Sequence, residues 1–266
     1  MSNASQFAHE TWVVDLDGVV WLASEPIPGS ADAIRRLRAS GRRIVFFTNN
    51  SFSGRAEMLA KFASHEIECA PDELMSSSQA AASLLHKDER AAVLGGPGIV
   101  EALEAVGVEV VPIDSLGKVP TPDAVLVGLD LELQMARLTA ATRAITAGAR
   151  LIGTNDDATY PTPDGPLPGG GALLAAVTYT TGTKAVVAGK PYQPAADLIL
   201  AALGPIAVVV GDRPETDGAL AQRLGARFAL VRSGVTPPGV EVTDPHPDLD
   251  AKDLAELADT VLGAAR

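Results

Sequence analysis

Apolar residues recur along this chain in two patterns. Short runs in which nearly every position is apolar stand at residues 12–16, 44–48, 91–94, 124–127, 151–153, 185–188, 206–210 and 228–231. Continuous apolarity over so few residues is what a strand buried on both faces requires, so these runs read as strands of a mainly parallel sheet. Between them, apolar positions fall at helical spacing over 32–39, 55–65, 133–147, 172–179, 195–203 and 218–224. The first of these helices runs out at Gly41, a residue that readily closes a helix C-terminus. Strand and helix alternate for most of the length, which predicts an α/β fold with a doubly wound, Rossmann-like core of parallel strands.

Three stretches break the alternation. Residues 112–122 contain Pro and are weakly patterned, while 159–171 carry several Pro and Gly and read as a loop long enough to be functional. Residues 236–248 are rich in Pro and Asp and precede a last helix. There is no repeat of fixed period. At 266 residues the chain holds one large domain or two modest ones.

Composition narrows the partners more than the fold. A formal net charge of −12 with no long run of Lys or Arg sets nucleic acid aside, since a phosphate backbone demands basic surface. A small phosphorylated metabolite stays admissible, because local charge at a site can oppose the global sign. No apolar run approaches the roughly 20 residues of a membrane span, and residues 1–10 are polar, without a signal peptide's apolar segment. The single cysteine, Cys69, reads as a small apolar residue and fits a reducing compartment. A cytoplasmic protein with no membrane partner is the expectation.

The chemistry gathers where strands end. Asp15 and Asp17 follow the first, two positions apart, a spacing that in a strand turns both carboxylates to one side. Like charges so placed repel unless a cation or a proton intervenes, so the pair points to a hard metal, an acid/base couple, or both. The second strand ends in Thr48, Asn49, Asn50 and Ser51, hydroxyl and amide groups able to hydrogen-bond an oxyanion. A later one ends in Gly189, Lys190 and Pro191, and another in Gly211, Asp212 and Arg213, followed by Asp217. Taken singly, each has a plain explanation as a turn, a helix cap or solvated surface. In a doubly wound sheet, such ends converge on one crevice. Gly95-Gly96-Pro97-Gly98 lacks the lysine and the full fingerprint of a nucleotide-binding loop and reads as a turn into a helix. The four histidines show no metal-ligand spacing, which argues against zinc.

Asp15-Leu16-Asp17-Gly18, Thr48-Asn49-Asn50, Lys190, and Gly211-Asp212 with Asp217, in that order, resemble the four motifs of the haloacid dehalogenase superfamily of aspartate-nucleophile phosphohydrolases. Roughly 30 residues separate Asp15 from Thr48, room for one helix and its loops. Roughly 140 separate Thr48 from Lys190, comparable to a small domain. An insertion at that point resembles the second cap class, a separate lid. It places a catalytic core at 1–79 and 185–266 and a smaller α/β cap at 80–184. Val127-Gly128-Leu129-Asp130, Thr154-Asn155 with Asp157, and Pro168-Gly169-Gly170-Gly171 resemble the p-nitrophenylphosphatase and pyridoxal-phosphatase-like branch.

The resemblance implies that Asp15 attacks phosphorus and forms an aspartyl-phosphate that water later cleaves. Asp17 then protonates the leaving alkoxide and deprotonates the water, and crowded negative charge favours its protonated form. It also implies Mg²⁺, held by the Asp15 carboxylate, the Asp17 main-chain carbonyl and the Asp212 carboxylate, with Asp217 in support or acting through a water. Charge counting agrees. Four carboxylates and a phosphate dianion bring about six negative charges against one positive on Lys190, and Mg²⁺ with a proton on Asp17 removes about three more. Thr48, Asn49 and Asn50 are implied to hold phosphoryl oxygens, with Lys190 neutralising charge that builds in the transition state.

Tyr160 stands where the pyridoxal phosphatases resemble one another in a substrate-contacting histidine. It offers a phenol donor and a stacking face instead, so pyridoxal phosphate loses ground as substrate. Asp17 argues against a dehalogenase, which has no alkoxide to protonate, and the spacing argues against mutases, which resemble the other cap class. Pro214-Glu215 departs from the branch's Leu-Asp; Glu lengthens the arm and Pro removes a backbone donor, which leaves the loop's position open. Trp21 either floors the substrate pocket or packs. The reading is a Mg²⁺-dependent phosphatase of small phosphomonoesters such as glycerol phosphate, sugar phosphates or p-nitrophenyl phosphate. A nucleotide monophosphatase and a catalytically silent phosphate-metabolite-binding protein are the alternatives, and a homodimer through the cap is the assembly to look for.

Overall fold

In the computed structural model, which describes residues 10–115, 121–160 and 165–263, the apolar runs pair into two separate parallel sheets. The polar start at 1–9 lies outside the described residues, as do 116–120 of the first connector and 161–164 of the second. The described residues pack as two units, one drawn from 10–48, 59–75 and 199–263 and the other from 49–58, 76–115, 121–160 and 165–198. The second unit takes in more chain than an insert at 80–184.

In the first unit the strand order is Leu249–Ala251, Arg227–Val231, Val208–Gly211, Thr11–Val14, Arg43–Thr48 and Leu74–Ser76. Thr11–Val14 pairs in parallel on both sides, with Val14 opposite Val210 and opposite Phe46. The chain therefore builds outward from this strand in two directions, which makes it the switch point of the sheet, where a crevice opens beyond the carboxyl ends. Val13, Val14, Val45, Phe46, Val209 and Val210 are at most 1% exposed, the reason these runs are apolar throughout. Helix Ser30–Ala39 turns Ala33, Ile34 and Leu37 inward, a stripe at helical spacing, and packs on the terminal helix Leu254–Gly263.

The second unit has its own parallel sheet, ordered Val186–Val187, Arg150–Gly153, Ala124–Val127, Arg90–Leu94 and Glu109–Val111. The strand before Lys190, expected beside the other three motif strands, belongs here instead: Val186 lies opposite Ile152, and Val187 opposite Gly153. It is a two-residue edge strand with Val186 52% exposed, so its apolar composition reflects neither length nor two-sided burial. The stretch at 159–171 is not wholly irregular, because Thr159–Tyr160 pairs antiparallel with Leu167–Pro168. Pro97 opens helix Pro97–Ala105, where its missing donor is not needed.

Among the described residues no helix is long and apolar enough to cross a membrane. Burial, and then the charge of Glu73, push the Cys69 thiol from 9.0 up to about 12. Its thiolate population at neutral pH is therefore about a thousandfold below that of an ordinary thiol. Alkylation by iodoacetamide in the folded protein is predicted to be slower than that of a free cysteine peptide, by less than the thiolate deficit because a more basic thiolate is more nucleophilic. Labelling at the free-peptide rate would contradict this environment.

Candidate active site

Because Thr11–Val14 lies between Val208–Gly211 and Arg43–Thr48, the residues that follow these strands emerge at one edge of the sheet. Asp15 continues the ladder by one bond, its N–H donating to the Val210 carbonyl at 2.9 Å. The strand itself ends at Val14, so strand alternation does not orient Asp17, and that expectation is corrected. The chain turns instead. The N–H groups of Val19, Val20 and Trp21 reach the Leu16 carbonyl at 3.2, 2.8 and 3.2 Å, and the Gly18 N–H donates to the Trp21 carbonyl at 2.7 Å. Gly18 makes this turn at φ +88°, a conformation that penalises residues with a Cβ. The fold-back brings Trp21 to Asp17, where Nε1 donates to Oδ1 at 3.1 Å.

Asp15, Asp212 and Asp217 form one cluster, a carboxylate oxygen of each lying within 4.8 Å of the others. They are 9%, 1% and 0% exposed, so their repulsion is poorly screened and calls for a cation or a proton. An all-carboxylate donor set suits a hard divalent cation such as Mg²⁺ and is a poor match for zinc. Asp212 is gripped from both ends: Oδ2 accepts the Val235 N–H at 2.6 Å, and its carbonyl accepts the Thr236 hydroxyl at 2.6 Å. Gly18 and Gly234 flank the carboxylate so closely that a Cβ on either would overlap Oδ2. Ser233 Oγ donates to the Gly18 carbonyl at 2.7 Å and ties the two flanks together. No sequence motif points to 233–236; the available signal is position, just after Arg227–Val231, the next strand along the same edge.

Asp217 reaches back through a single π-helical turn, Pro214–Gly218. The N–H groups of Thr216, Asp217 and Gly218 gather on the Arg213 carbonyl at 3.3, 2.8 and 3.4 Å, and the Arg213 N–H donates to Asp217 Oδ2 at 3.2 Å. Pro214 heads this turn, where a donor is dispensable, and Glu215 is exposed, so Pro214-Glu215 leaves Asp217 in the cluster. Thr48 ends the neighbouring strand and is buried.

The other motif residues lie in the second unit. Asn49 brackets the Lys190 main chain: Oδ1 accepts the Lys190 N–H at 2.8 Å, and Nδ2 donates to the Lys190 carbonyl and to Asp157 Oδ2, each at 3.1 Å. The Asn49 carbonyl in turn accepts Asn155 Nδ2 at 2.7 Å and Ser77 Oγ at 2.9 Å. This network makes the Asn49 amide a holder of Lys190, a task local sequence does not reveal. Asn50 Oδ1 accepts the Phe52 N–H at 2.9 Å, closing an Asx turn. Lys190 is buried, Asp130 is ion-paired with Arg137 at 2.7 Å, and Tyr160 lies half-buried in the short antiparallel pair. The hydrogen bond from Tyr192 to Asp156 holds the Tyr192 phenol up, at about 12.

Similarity to known proteins agrees with this geometry. The profile described as haloacid dehalogenase-like hydrolase matches residues 12–109, and a second, HAD-hydrolase-like, matches 187–257. The 4-nitrophenylphosphatase of Schizosaccharomyces pombe is 31% identical in an alignment that covers 94% of each chain. This chain belongs to the haloacid dehalogenase-like hydrolases. The glycerol-3-phosphate phosphatase of Homo sapiens is 33% identical in an alignment that covers 85% of this chain and 80% of its own. Within the haloacid dehalogenase-like fold, the glycerol phosphate phosphatase of Mycobacterium tuberculosis, solved with magnesium, matches at a TM-score of 0.84. It is 30% identical and is covered over 78% of its length by 97% of this chain.

Proposed function

We propose that this chain is a Mg²⁺-dependent phosphatase that hydrolyses small phosphomonoesters, of the glycerol phosphate, sugar phosphate or p-nitrophenyl phosphate type. The observation that carries the reading is the cluster of Asp15, Asp212 and Asp217 at the switch point of a parallel sheet, with oxygens within 4.8 Å. Relatives named for nitrophenyl phosphate and glycerol phosphate, 31% and 33% identical, support the substrate class.

The Asp15 and Asp212 carboxylates and the Asp17 main-chain carbonyl, with Asp217 in support, would hold Mg²⁺, which would supply the positive charge that lets these acids and a phosphate dianion share one site. An oxygen of Asp15 attacks phosphorus, the bond from phosphorus to the ester oxygen breaks, and Asp17 gives its proton to the departing alkoxide. Asp17, now a carboxylate, takes a proton from water, whose oxygen attacks the phosphorus of the aspartyl-phosphate. Inorganic phosphate leaves and the Asp15 carboxylate is restored. Thr48, Asn50 and the Asn49 main-chain N–H hydrogen-bond phosphoryl oxygens, while the Asn49 side-chain amide holds Lys190, which offsets their growing charge. The insert at 80–184 acts as the lid that admits only small esters, with Tyr160 as a substrate contact. A single cysteine suits a reducing compartment, the cytoplasm.

The test is a panel of p-nitrophenyl phosphate, glycerol phosphates, sugar phosphates and nucleoside monophosphates, assayed with Mg²⁺ and again in EDTA. Small esters are expected to turn over faster than nucleotides, with activity lost on chelation and regained with added Mg²⁺. Full activity in EDTA, or no ester hydrolysed in Mg²⁺, would sink the proposal.

A further inference from the structure

Trp21 is fully buried at the end of the turn that carries Asp17, and several groups fix where it stands. Its Nε1–H donates to Asp17 Oδ1 at 3.1 Å. Phe62 meets the ring edge-on with centroids 4.9 Å apart, and His65 lies tilted at 5.7 Å. Lys61 Nζ stands over the indole face, 4.1 Å from its centroid, and is held there by donating to the Ala23 carbonyl at 2.7 Å. The backbone adds a bridge between Asp17 and Trp21 and the bond from the Gly18 N–H to the Trp21 carbonyl at 2.7 Å. A buried indole N–H needs an acceptor, and any carbonyl would serve packing. Here the acceptor is the one acid of the four core motifs whose carboxylate lies outside the cluster of Asp15, Asp212 and Asp217. The ammonium over the ring face draws on its electrons and makes the N–H a stronger donor.

We propose that Trp21 is a positioning residue for proton transfer: its N–H fixes the Asp17 carboxylate in the rotamer from which Oδ2 passes a proton to the leaving group. This rests on the reading of Asp17 as the acid. Without the bond, Asp17 loses one of the contacts that hold its rotamer and delivers its proton less often. The loss then scales with the leaving group's need for that proton. A nitrophenolate departs readily without one, whereas the anions of more basic phenols do not.

The experiment measures kcat/KM, which reports transfer to Asp15, for a series of substituted phenyl phosphates running from p-nitrophenyl to p-methylphenyl. Two proteins are compared with the parent: Trp21→Phe, and the full chain carrying 3-benzothienylalanine at position 21, which keeps the bicyclic shape and replaces N–H by sulfur. Both are expected to lose less than about threefold on p-nitrophenyl phosphate and about 10- to 100-fold on p-methylphenyl phosphate, no more than the lower end of the ~10²–10⁴-fold worth of a general acid. An equal loss on every ester in the benzothienyl protein, or no loss, overturns the proposal and leaves Trp21 as packing or pocket floor. Asp17→Asn in the same series separates the two failures. A leaving-group-dependent loss there, with none in the benzothienyl protein, removes the role of Trp21 alone. A uniform loss in Asp17→Asn removes the acid reading and this inference with it.

Discussion

Asp15→Asn is expected to abolish hydrolysis of p-nitrophenyl phosphate, a loss of at least about 10³-fold in kcat or about 4 kcal/mol of activation free energy. Asn matches Asp in shape, but its amide does not attack phosphorus, so the loss falls on chemistry rather than on folding. The same change should have the opposite sign on stability once metal is removed. The oxygens of Asp15, Asp212 and Asp217 lie within 4.8 Å, buried together at the sheet edge. Each ionised pair at such a distance repels by about 3 kcal/mol at an effective dielectric of about 20. Neutralising Asp15 relieves two of the three pairs, so the variant in EDTA should melt above the parent in EDTA. Saturating Mg²⁺ should then raise its melting temperature less than the parent's, because a ligand charge is gone. Steady-state kinetics and thermal melts with and without EDTA check both signs. Unchanged turnover would remove Asp15 as nucleophile, and an inactive variant that melts below the parent in EDTA would mean that the fold was lost.

The strands that build this site are legible because burial on both faces leaves nothing but apolar residues at 12–14, 44–47 and 208–210. Acids placed just after such runs emerge at one edge once the strands are parallel neighbours. Turns and distant pairings are harder to read. Leu74–Ser76 and Leu249–Ala251 are three-residue strands, too short for periodicity to register. Helix Ser77–Ala82 is announced only by its capping box, in which Ser76 Oγ accepts the Gln79 N–H at 3.4 Å and Gln79 Oε1 accepts the Ser76 N–H at 3.0 Å. The run before Lys190 has the composition of a core strand, yet its partner is Arg150–Gly153, a choice made by tertiary packing. Asn49 displays the amide of an oxyanion binder, and its bonds to the Lys190 main chain join residues far apart in sequence. Residues 233–236 are hard to notice for another reason, since what Gly234 contributes is the lack of a side chain.

Gly234→Ala is therefore expected to be a damaging change at a residue with no chemistry of its own. The Asp212 carboxylate lies in a slot between Gly18 and Gly234. A Cβ at Gly234 would overlap Oδ2 and stand 2.6 Å from Asp212 Cγ and 2.7 Å from Gly18 Cα. The far wall of the slot is backbone rather than the end of a flexible side chain. Relief must come from moving the carboxylate or the turn that carries Asp17. Gly18→Ala would mix this clash with the strain of φ +88°, whereas Gly234 is not in that region and isolates the clash. Overpacking of this kind costs about 1–3 kcal/mol of stability. A displacement of about 1 Å in a group that orients the reaction costs on the order of 10²-fold in rate. The Val235 N–H bond to Oδ2 at 2.6 Å is strained by the same movement, so the carboxylate loses its anchor as well as its seat. The Mg²⁺ activation curve of Gly234→Ala should move to higher concentration, with a matching rise in the calorimetric Kd and unchanged helix content by circular dichroism. Parental Mg²⁺ affinity and turnover in this variant would show that Asp212 does not depend on the slot.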